Sequence, residues 1–238
     1  MEPPWTRQLE RDGYAIVRDV ADEATVRSLR SSFEAEGDDT IQRGGAVYAR
    51  RMALELSAVR EWALSTPALH LARSVLGADA RPVRGVLFDK RAEANWPVPW
   101  HQDLTIAVQT RIDLDGYGPW SVKAGTPHVQ PPASVLEQMV TLRLHLDECP
   151  ASNGALRVIS GSHHVGKLTP DAIREMAASH LVATCEAAVG DVVLMRPLLL
   201  HSSSPSEVPS HRRVVHVEYA ASALPYAMEW AESRSASS

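Results

Sequence analysis

Short strand-like segments, separated by turn-forming residues, recur along the chain beyond Pro82, and several of them alternate polar and apolar residues. The alternation is clearest in MVTLRLHLDE, residues 139–148, where leucines occupy every second position. Side chains of a strand point alternately to its two faces, so this segment has a leucine face and a polar face. The polar face carries Thr141, Arg143, His145 and Asp147. Many short strands of this kind predict a β-sandwich or a jelly-roll barrel.

The region before Pro82 has a different pattern. A short strand is predicted over residues 13–20, followed by a helix over residues 22–37 with Asp22 as its N-cap and Gly37 as its end. A second helical zone over residues 54–77 is expected to break at Pro67. We therefore predict a single domain, residues 1–238, that is mainly β with packed helices. Its helical and strand N-terminal part covers about residues 1–80, and its β core covers about residues 83–222.

The segment 113–132, DLDGYGPWSVKAGTPHVQPP, is rich in glycine and proline and shows no strand period. A loop of this length inside a compact domain is usually functional or disordered. We interpret it as a lid over an active site.

Composition excludes several classes of function. The formal net charge is −5 and no block of lysine or arginine occurs, which argues against nucleic-acid or anionic-membrane partners. Two cysteines are too few for a disulfide framework, and no apolar run reaches the roughly 18 residues of a membrane span. The charged N-terminal stretch does not resemble a signal peptide. We expect a cytoplasmic protein that acts on a small molecule; its oligomeric state is not predicted.

The segment VPWHQD places His101 and Asp103 two residues apart. On a strand these side chains share a face, and Gln102 points to the other. Two polar groups aimed at an interior need water or a common partner such as a metal ion. An H-x-D pair alone is more typical of a satisfied polar pair at a strand end than of a metal site.

Further ligands stand in the C-terminal half. His201 follows a strongly apolar segment, and Arg212 opens the next predicted strand. Two histidines and one carboxylate can occupy one face of a non-haem iron(II) and leave positions for a co-substrate and dioxygen. An arginine can bind the far carboxylate of a dicarboxylic co-substrate through two parallel hydrogen bonds.

These motifs resemble the phytanoyl-CoA dioxygenase family of iron(II)/2-oxoglutarate-dependent oxygenases. The resemblance rests on HQD, on the distal His201 and on Arg212 eleven residues beyond it (212 − 201), and it extends from LERDGYAIVRDV through NGALRVISGSH and GDVVLMRPLLLHSSS to RRVVHVEYA. It implies a double-stranded β-helix, that is, a cupin-like jelly roll with N-terminal helices. It also implies that His101, Asp103 and His201 bind Fe(II), with 2-oxoglutarate and O2 as co-substrates.

The resemblance further implies binding residues for 2-oxoglutarate. Arg212 and Ser203 would hold its distal carboxylate. Lys90 resembles a family position that contacts the co-substrate, although an exposed strand lysine fits the sequence equally well. Arg213 is the alternative to Arg212 for binding this carboxylate. Side chains of neighbouring strand residues point to opposite faces, so only one of the two can reach the pocket. Thr141 is a weaker candidate for the same pocket.

Five residues are candidates for substrate contact, each with a simpler alternative. Trp100 neighbours a ligand but also suits core packing. Trp120, Lys123 and His128 lie in the lid segment but also suit a solvent-exposed loop. Arg143 could bind a substrate carboxylate or pair with Asp147. No basic cluster suited to the phosphates of a CoA thioester occurs.

The presence of Asp103 favours hydroxylation or another C–H oxidation over halogenation, because related halogenating oxygenases lack this carboxylate. The expected reaction hydroxylates a small or mid-sized metabolite and converts 2-oxoglutarate to succinate and CO2. The alternative is a cupin-type small-molecule-binding or regulatory protein without redox turnover. A zinc hydrolase is less favoured because nothing marks a general base beside the three ligands.

Overall fold

The computed structural model describes residues 3–33, 40–43, 46–92, 94–207 and 211–232. Within these ranges the chain forms six α-helices and fourteen strands. The helices are α1 (Pro4–Asp12), α2 (Glu23–Ser31), α3 (Ser57–Ala63), α4 (Thr66–Leu76), α5 (Ala133–Glu137) and α6 (Pro170–Ser179). The strands are β1 (Tyr14–Val17), β2 (Thr40–Arg43), β3 (Ala46–Arg50), β4 (Arg81–Lys90), β5 (Val98–His101), β6 (Ile106–Ala107), β7 (Trp120–Lys123), β8 (Thr126–Val129), β9 (Met139–His145), β10 (Leu156–Val158), β11 (Ala183–Cys185), β12 (Val192–Met195), β13 (His201–Ser203) and β14 (Arg212–Ala220).

Two antiparallel sheets form the body of the domain. The major sheet has seven strands in the order β1-β12-β9-β14-β4-β3-β2, and the minor sheet has four in the order β11-β10-β13-β5. Leu156 and Val158 of the minor sheet lie in one buried cluster with Val193 and Met195 of the major sheet, so the sheets pack face to face. The predicted mainly β jelly roll is confirmed. The major sheet also takes β1, β2 and β3 from the N-terminal part of the chain.

The outer face of the major sheet packs against the helices. The leucines of β9 and the alternate residues Val215, Val217 and Tyr219 of β14 share the largest buried cluster with α1 to α4. The hydroxyl of Tyr219 donates a hydrogen bond of 2.9 Å to the carbonyl oxygen of Ala63 in α3. Each fully buried leucine contributes about 1.5–3 kcal/mol. The fold is therefore stabilised mainly on this side, and the inner face is left for polar groups.

The helix ends follow local side-chain chemistry. Asp22 caps α2 as predicted, accepting a hydrogen bond of 2.8 Å from the backbone of Thr25. The predicted helix over 22–37 is too long, because α2 ends at Ser31, whose hydroxyl donates to a backbone carbonyl one turn back. Gly37 lies outside the described residues. In the second helical zone the break precedes Pro67, which occupies the first turn of α4.

Gly190 forms the turn before β12 and has a φ of +87°. A Cβ atom at this position would lie 2.5 Å from the carbonyl oxygen of Ala21. The carbonyl of Gly190 accepts hydrogen bonds from the backbone of Val20 and Ala21. Glycine is therefore required both by the backbone conformation and by the close approach of the loop before α2.

The segment 113–132 is not the strandless loop that the sequence predicts. It contains the hairpin β7–β8, which joins β6 in a third sheet of order β6-β8-β7. Ala124 and Gly125 turn the hairpin with φ angles of +48° and +75°. Strands of four residues interrupted by proline leave too short an alternation to recognise.

Residues beyond the predicted limit of the β core also take part in the third sheet. Trp230 forms an isolated bridge with Val108, and the backbone of Ala231 donates to the carbonyl of Ala107 at 3.0 Å. The carboxylate of Glu232 accepts backbone hydrogen bonds of 2.8 Å from both Leu54 and Gly85. We call residues 229–232 the C-terminal strap. None of the described helices is both long and apolar enough to cross a membrane.

Candidate metal centre

His101, Asp103 and His201 converge where β5 ends and its partner strand β13 begins. The two histidines are directly opposite each other in the register of these strands. The Nε2 atom of His101 lies 3.9 Å from Oδ1 of Asp103, and Nε2 of His201 lies 3.8 Å from Oδ2. One ligand atom from each residue lies within 4.8 Å of the others, so the three can hold one metal ion.

Both histidines are fixed in the same tautomer by their own backbone. Nδ1 of His101 lies 2.8 Å from the carbonyl oxygen of Pro99, and Nδ1 of His201 lies 2.8 Å from that of Leu199. A carbonyl oxygen only accepts, so each Nδ1 carries a hydrogen, and in the neutral ring each Nε2 keeps its lone pair. Such hydrogen bonds orient the ring and increase its basicity as a metal ligand.

Gln102 sets the geometry between His101 and Asp103. Its amide nitrogen donates to the carbonyls of Gly166 at 2.8 Å and Leu198 at 2.6 Å, and its oxygen accepts from the backbone of Leu168 at 2.8 Å. β5 ends at His101. The prediction that His101 and Asp103 share a face of one strand is therefore wrong in detail. They converge because the anchored Gln102 turns the chain as the strand ends.

The protonation states of the centre suit a cation. Burial alone raises the pKa of Asp103, but the neighbouring His201 and His101 outweigh it and hold that pKa well below its usual range. Burial lowers the pKa of His201 to about 3. A carboxylate and a neutral imidazole are the forms that bind metal ions. The buried Oδ2 atom of Asp103 has no hydrogen-bond partner among the described residues.

Two basic residues, Arg212 and Lys90, lie side by side on the inner face of the major sheet, the face opposite the helices. They are opposite each other in the register of β14 and β4. Lys90 is buried and donates to Oγ of Ser203 at 3.2 Å and to the carbonyl of Ser204 at 2.8 Å. The alternative of an exposed strand lysine is therefore wrong. Burial and the charge of Arg212 lower the pKa of Lys90 to about 7.

Arg213 faces the other side of the sheet. Its guanidinium binds Asp147 in the bidentate manner, with nitrogen–oxygen distances of 2.9 and 2.7 Å. Asp147 also accepts from Arg30 of α2, at 3.2 Å. The alternative in which Arg143 pairs with Asp147 is therefore wrong. Alternation ends with β9 at His145, so Asp147 lies outside the strand and is not on the polar face.

Arg143 belongs instead to a network across the inner face. Its guanidinium donates to Nδ1 of His216 at 2.9 Å. Because arginine only donates, Nδ1 is the acceptor, and Nε2–H of His216 faces Glu218 at 3.4 Å. Glu218 forms an ion pair of 2.7 Å with Arg84. His216 and Arg84 both contribute to lowering the pKa of Asp103, so this network adjoins the metal centre.

Several buried polar atoms beside this network have no hydrogen-bond partner among the described residues. They are Oγ1 of Thr141, Nε of Arg143, both ring nitrogens of His145 and Nε of Arg212. Leaving buried polar atoms unpaired costs free energy, about 1–3 kcal/mol for each. Burial lowers the pKa of His145 to about 3, and the charges of Arg143 and Arg212 contribute to the decrease. The inner face is therefore a positively charged surface suited to a polar anionic ligand.

Two predicted substrate contacts point away from the centre. Trp100 precedes His101 on β5, so it faces the opposite side of the strand, where the guanidinium of Arg157 lies 5.5 Å from its ring centre. Trp120 packs against the buried cluster behind the hairpin β7–β8. Lys123 reaches toward the centre, and its Nζ donates to Oγ1 of Thr105 at 3.3 Å.

Four further residues of the site were not predicted from the sequence: Gln102, His216, Glu218 and Arg84. A signal existed for two of them, because alternation along RRVVHVEYA puts His216 and Glu218 on the face of Arg212. Gln102 and Arg84 owe their contacts to residues distant in sequence, and no local pattern identifies them.

Comparisons with known proteins identify a family and several solved structures of similar fold. The family model described as phytanoyl-CoA dioxygenase matches residues 9–214. The crystal structure of AviO1 from Streptomyces viridochromogenes is 22% identical, with a TM-score of 0.69 over 95% of this chain and 97% of that chain. EctD from S. alaskensis with 2-oxoglutarate and 5-hydroxyectoine is 18% identical, with a TM-score of 0.72 over 93% and 76%.

A third similar structure is SnoN, a non-heme alpha ketoglutarate dependent epimerase from nogalamycin biosynthesis. It is 18% identical, with a TM-score of 0.68 over 90% of this chain and 80% of that chain. A search of curated protein sequences found no significant match. At these identities the solved structures establish the shared fold.

Proposed function

The chain belongs to the phytanoyl-CoA dioxygenase family, which uses Fe(II), 2-oxoglutarate and O2, and from this premise we propose that it is a dioxygenase that hydroxylates a small or mid-sized metabolite. The observation that carries the proposal is the convergence of two Nε2 lone pairs and an ionised carboxylate at one point. In this proposal His101, Asp103 and His201 hold the iron. Succinate and CO2 are the co-products.

The donor set fits iron(II). Two neutral imidazoles and one carboxylate are the ligands of the facial arrangement that leaves open positions on a non-haem iron. The bound iron would supply the activation of dioxygen and the oxidation of a C–H bond. Gln102 holds the two N-terminal ligands in place. Asp103 occupies the position that is open to chloride in halogenating relatives, which supports hydroxylation or another C–H oxidation over halogenation.

The inner face of the major sheet fits 2-oxoglutarate. We assign its distal carboxylate to Arg212 and Ser203, with Lys90 beside them. Arg212 is buried and keeps unpaired donor capacity, and a dicarboxylate would satisfy it with two charge-assisted hydrogen bonds. The unpartnered hydroxyl of Thr141 lies further along the same face. Arg143, held by His216, adds positive charge to the wall of this pocket.

The test is an anaerobic titration of the apo-protein with Fe(II), followed by 2-oxoglutarate, monitored through the visible charge-transfer band of the chelate. We expect a band in the wild type that is lost in His201→Gln and Asp103→Asn. His180→Gln is the matched control, because His180 is an exposed histidine at the end of α6. Admission of O2 should then produce succinate.

Either of two results would contradict the proposal. No band in the wild type would show that these residues do not form an iron site of this kind. A band without any succinate after prolonged exposure to O2 and candidate substrates would favour the cupin-type binding or regulatory protein.

A further inference from the structure

One face of the hairpin β7–β8 is turned toward the metal centre. Lys123 and Thr126 are paired in the hairpin register, and His128 shares the face of Thr126 by alternation. Lys123 donates to Thr105, and Oγ1 of Thr126 lies 3.5 Å from Sδ of Met52. These two contacts fix the orientation of the hairpin. We call the side chains of Lys123, Thr126 and His128 the hairpin face.

Lys123 is a cation without a carboxylate partner among the described residues. It is half-buried, and its one hydrogen bond is to the hydroxyl of Thr105. Burial lowers the pKa of Lys123, and the positive charges of Arg84 and Arg51 lower it further, whereas Asp103 and Glu218 raise it. A partly desolvated ammonium surrounded by arginines is stabilised when an anion binds beside it.

His128 offers the complementary group. It is 2% exposed, and its Nδ1 lies 2.9 Å from the carbonyl oxygen of Thr126, so Nδ1 carries the hydrogen. Its Nε2 is buried and has no hydrogen-bond partner among the described residues. Burial lowers the pKa of His128 to about 4, so the ring is neutral and Nε2 is an acceptor. A ligand that carries a hydrogen-bond donor would satisfy this acceptor.

We propose that the hairpin face is the specificity site for the substrate, and that the substrate is a small hydroxylated acid whose oxyanion binds Lys123 and whose hydroxyl donates to Nε2 of His128. The assignment deepens the proposed function and rests on it. Arg84, already paired with Glu218, contributes long-range attraction. The oxyanion is a carboxylate or a phosphate.

The position of the hairpin limits the size of the substrate. Thr105, which holds Lys123, stands two residues after Asp103, and two residues of extended chain span at most about 7 Å. A group bound to Lys123 therefore lies close to the metal centre. The oxidised carbon of the substrate would stand only a few bonds from its oxyanion.

The test measures probe binding to the anaerobic Fe(II)·2-oxoglutarate form through the shift of its charge-transfer band. The probes are 4-hydroxycyclohexanecarboxylate, its methyl ester, and cyclohexanecarboxylate, which lacks the hydroxyl. Glycerol 3-phosphate and glycerol form a second pair that distinguishes phosphate from carboxylate. The variants are Lys123→Met and His128→Phe. Arg174→Met, which removes an exposed cation from α6, is the matched control.

We expect one of the anionic hydroxylated probes to bind the wild type and Arg174→Met about tenfold or more tightly than its neutral counterpart, as for one charged hydrogen bond. That preference should disappear in Lys123→Met. If the carboxylate is the probe that binds, the advantage of the hydroxylated acid over cyclohexanecarboxylate should disappear in His128→Phe only.

Equal binding of charged and neutral probes, a preference that survives in Lys123→Met, or no binding by any probe would overturn the assignment. The charge-transfer band measured without a probe distinguishes a failure of the hairpin-face proposal from a failure of the proposed function. If the band forms in the wild type and both variants, the iron and 2-oxoglutarate sites are intact, and a failure concerns the hairpin face alone. A wild type without the band would instead contradict the proposed function.

Discussion

Replacing Arg212 with glutamine should weaken 2-oxoglutarate binding about 30- to 1000-fold, whereas the same change at Arg213 should leave it unaffected. A bidentate arginine–carboxylate pair makes two charge-assisted hydrogen bonds, each contributing about 1.5–3 kcal/mol. Lys90 lies beside Arg212 and retains part of the attraction. A net loss of about 2–4 kcal/mol remains, which gives this range of Kd.

Arg213 is an internal control because it is the next residue on β14 and faces the opposite side. Its bidentate pair with Asp147 is partly buried, with the arginine side chain 19% exposed. Losing it should cost stability of about 1–2 kcal/mol. This corresponds to a fall in Tm of about 2–8 °C for a domain of this size. The two variants should therefore separate binding from stability.

The assay pairs anaerobic titration of each Fe(II)-loaded variant with 2-oxoglutarate and scanning calorimetry of the same samples. The reasoning fails if Arg212→Gln binds 2-oxoglutarate as tightly as the wild type. It fails equally if the two variants lose affinity to the same extent, because the alternation of β14 would then have no bearing on the pocket.

Three further predictions concern stability. Burial raises the pKa of Glu232 from 4.5 to about 7, so the folded state holds this proton more tightly than the unfolded state. The stability of the wild type relative to Glu232→Gln should therefore fall as pH rises from about 4.5 to about 7 in urea unfolding series, and parallel curves would refute this. Gly190→Ala should be at least about 2 kcal/mol more destabilising than Gly77→Ala. Both glycines have positive φ, but only the first would bring a Cβ against backbone, so equal midpoints in denaturant would contradict the contact. Tyr219→Phe should lose about 1–2 kcal/mol because the carbonyl of Ala63 loses its buried partner, and an unchanged Tm would argue against that hydrogen bond.

The sequence correctly predicts which residues of the central strands share a face, because side chains of a pleated strand point alternately to its two faces. In MVTLRLHLDE the leucine face and the polar face separate as predicted: the leucines pack on the helices, and Thr141 and Arg143 face the interior. The same alternation requires the side chains of Arg212 and Arg213 to point to opposite faces of the sheet, and they do. The order of the predicted elements, in which helices precede many short strands, is also sufficient to predict the fold class.

Other features depend on contacts between residues far apart in the chain. Lys90 is buried by Ser203 and Ser204, which lie 113 and 114 residues away. Asp103 reaches the two histidines through a turn anchored by distant carbonyls, and not through the strand geometry that the motif suggests. The hairpin β7–β8 is too short and too interrupted by proline for its period to be recognised. Local patterns carry no information about such partners.

The separation of the two faces of β14 has a consequence for how this protein could acquire new activities. The residues that hold the fold together, such as Val215, Val217 and Tyr219, alternate with residues that face the pocket. The inward row carries Arg212 and the Arg143–His216 pair, and removing one partner of a buried pair is strongly destabilising. Changes to the inward row would therefore damage the 2-oxoglutarate pocket, whereas the hairpin face lies outside β14 and can change without disturbing either row. Directed evolution of new specificity should begin with libraries confined to the hairpin face.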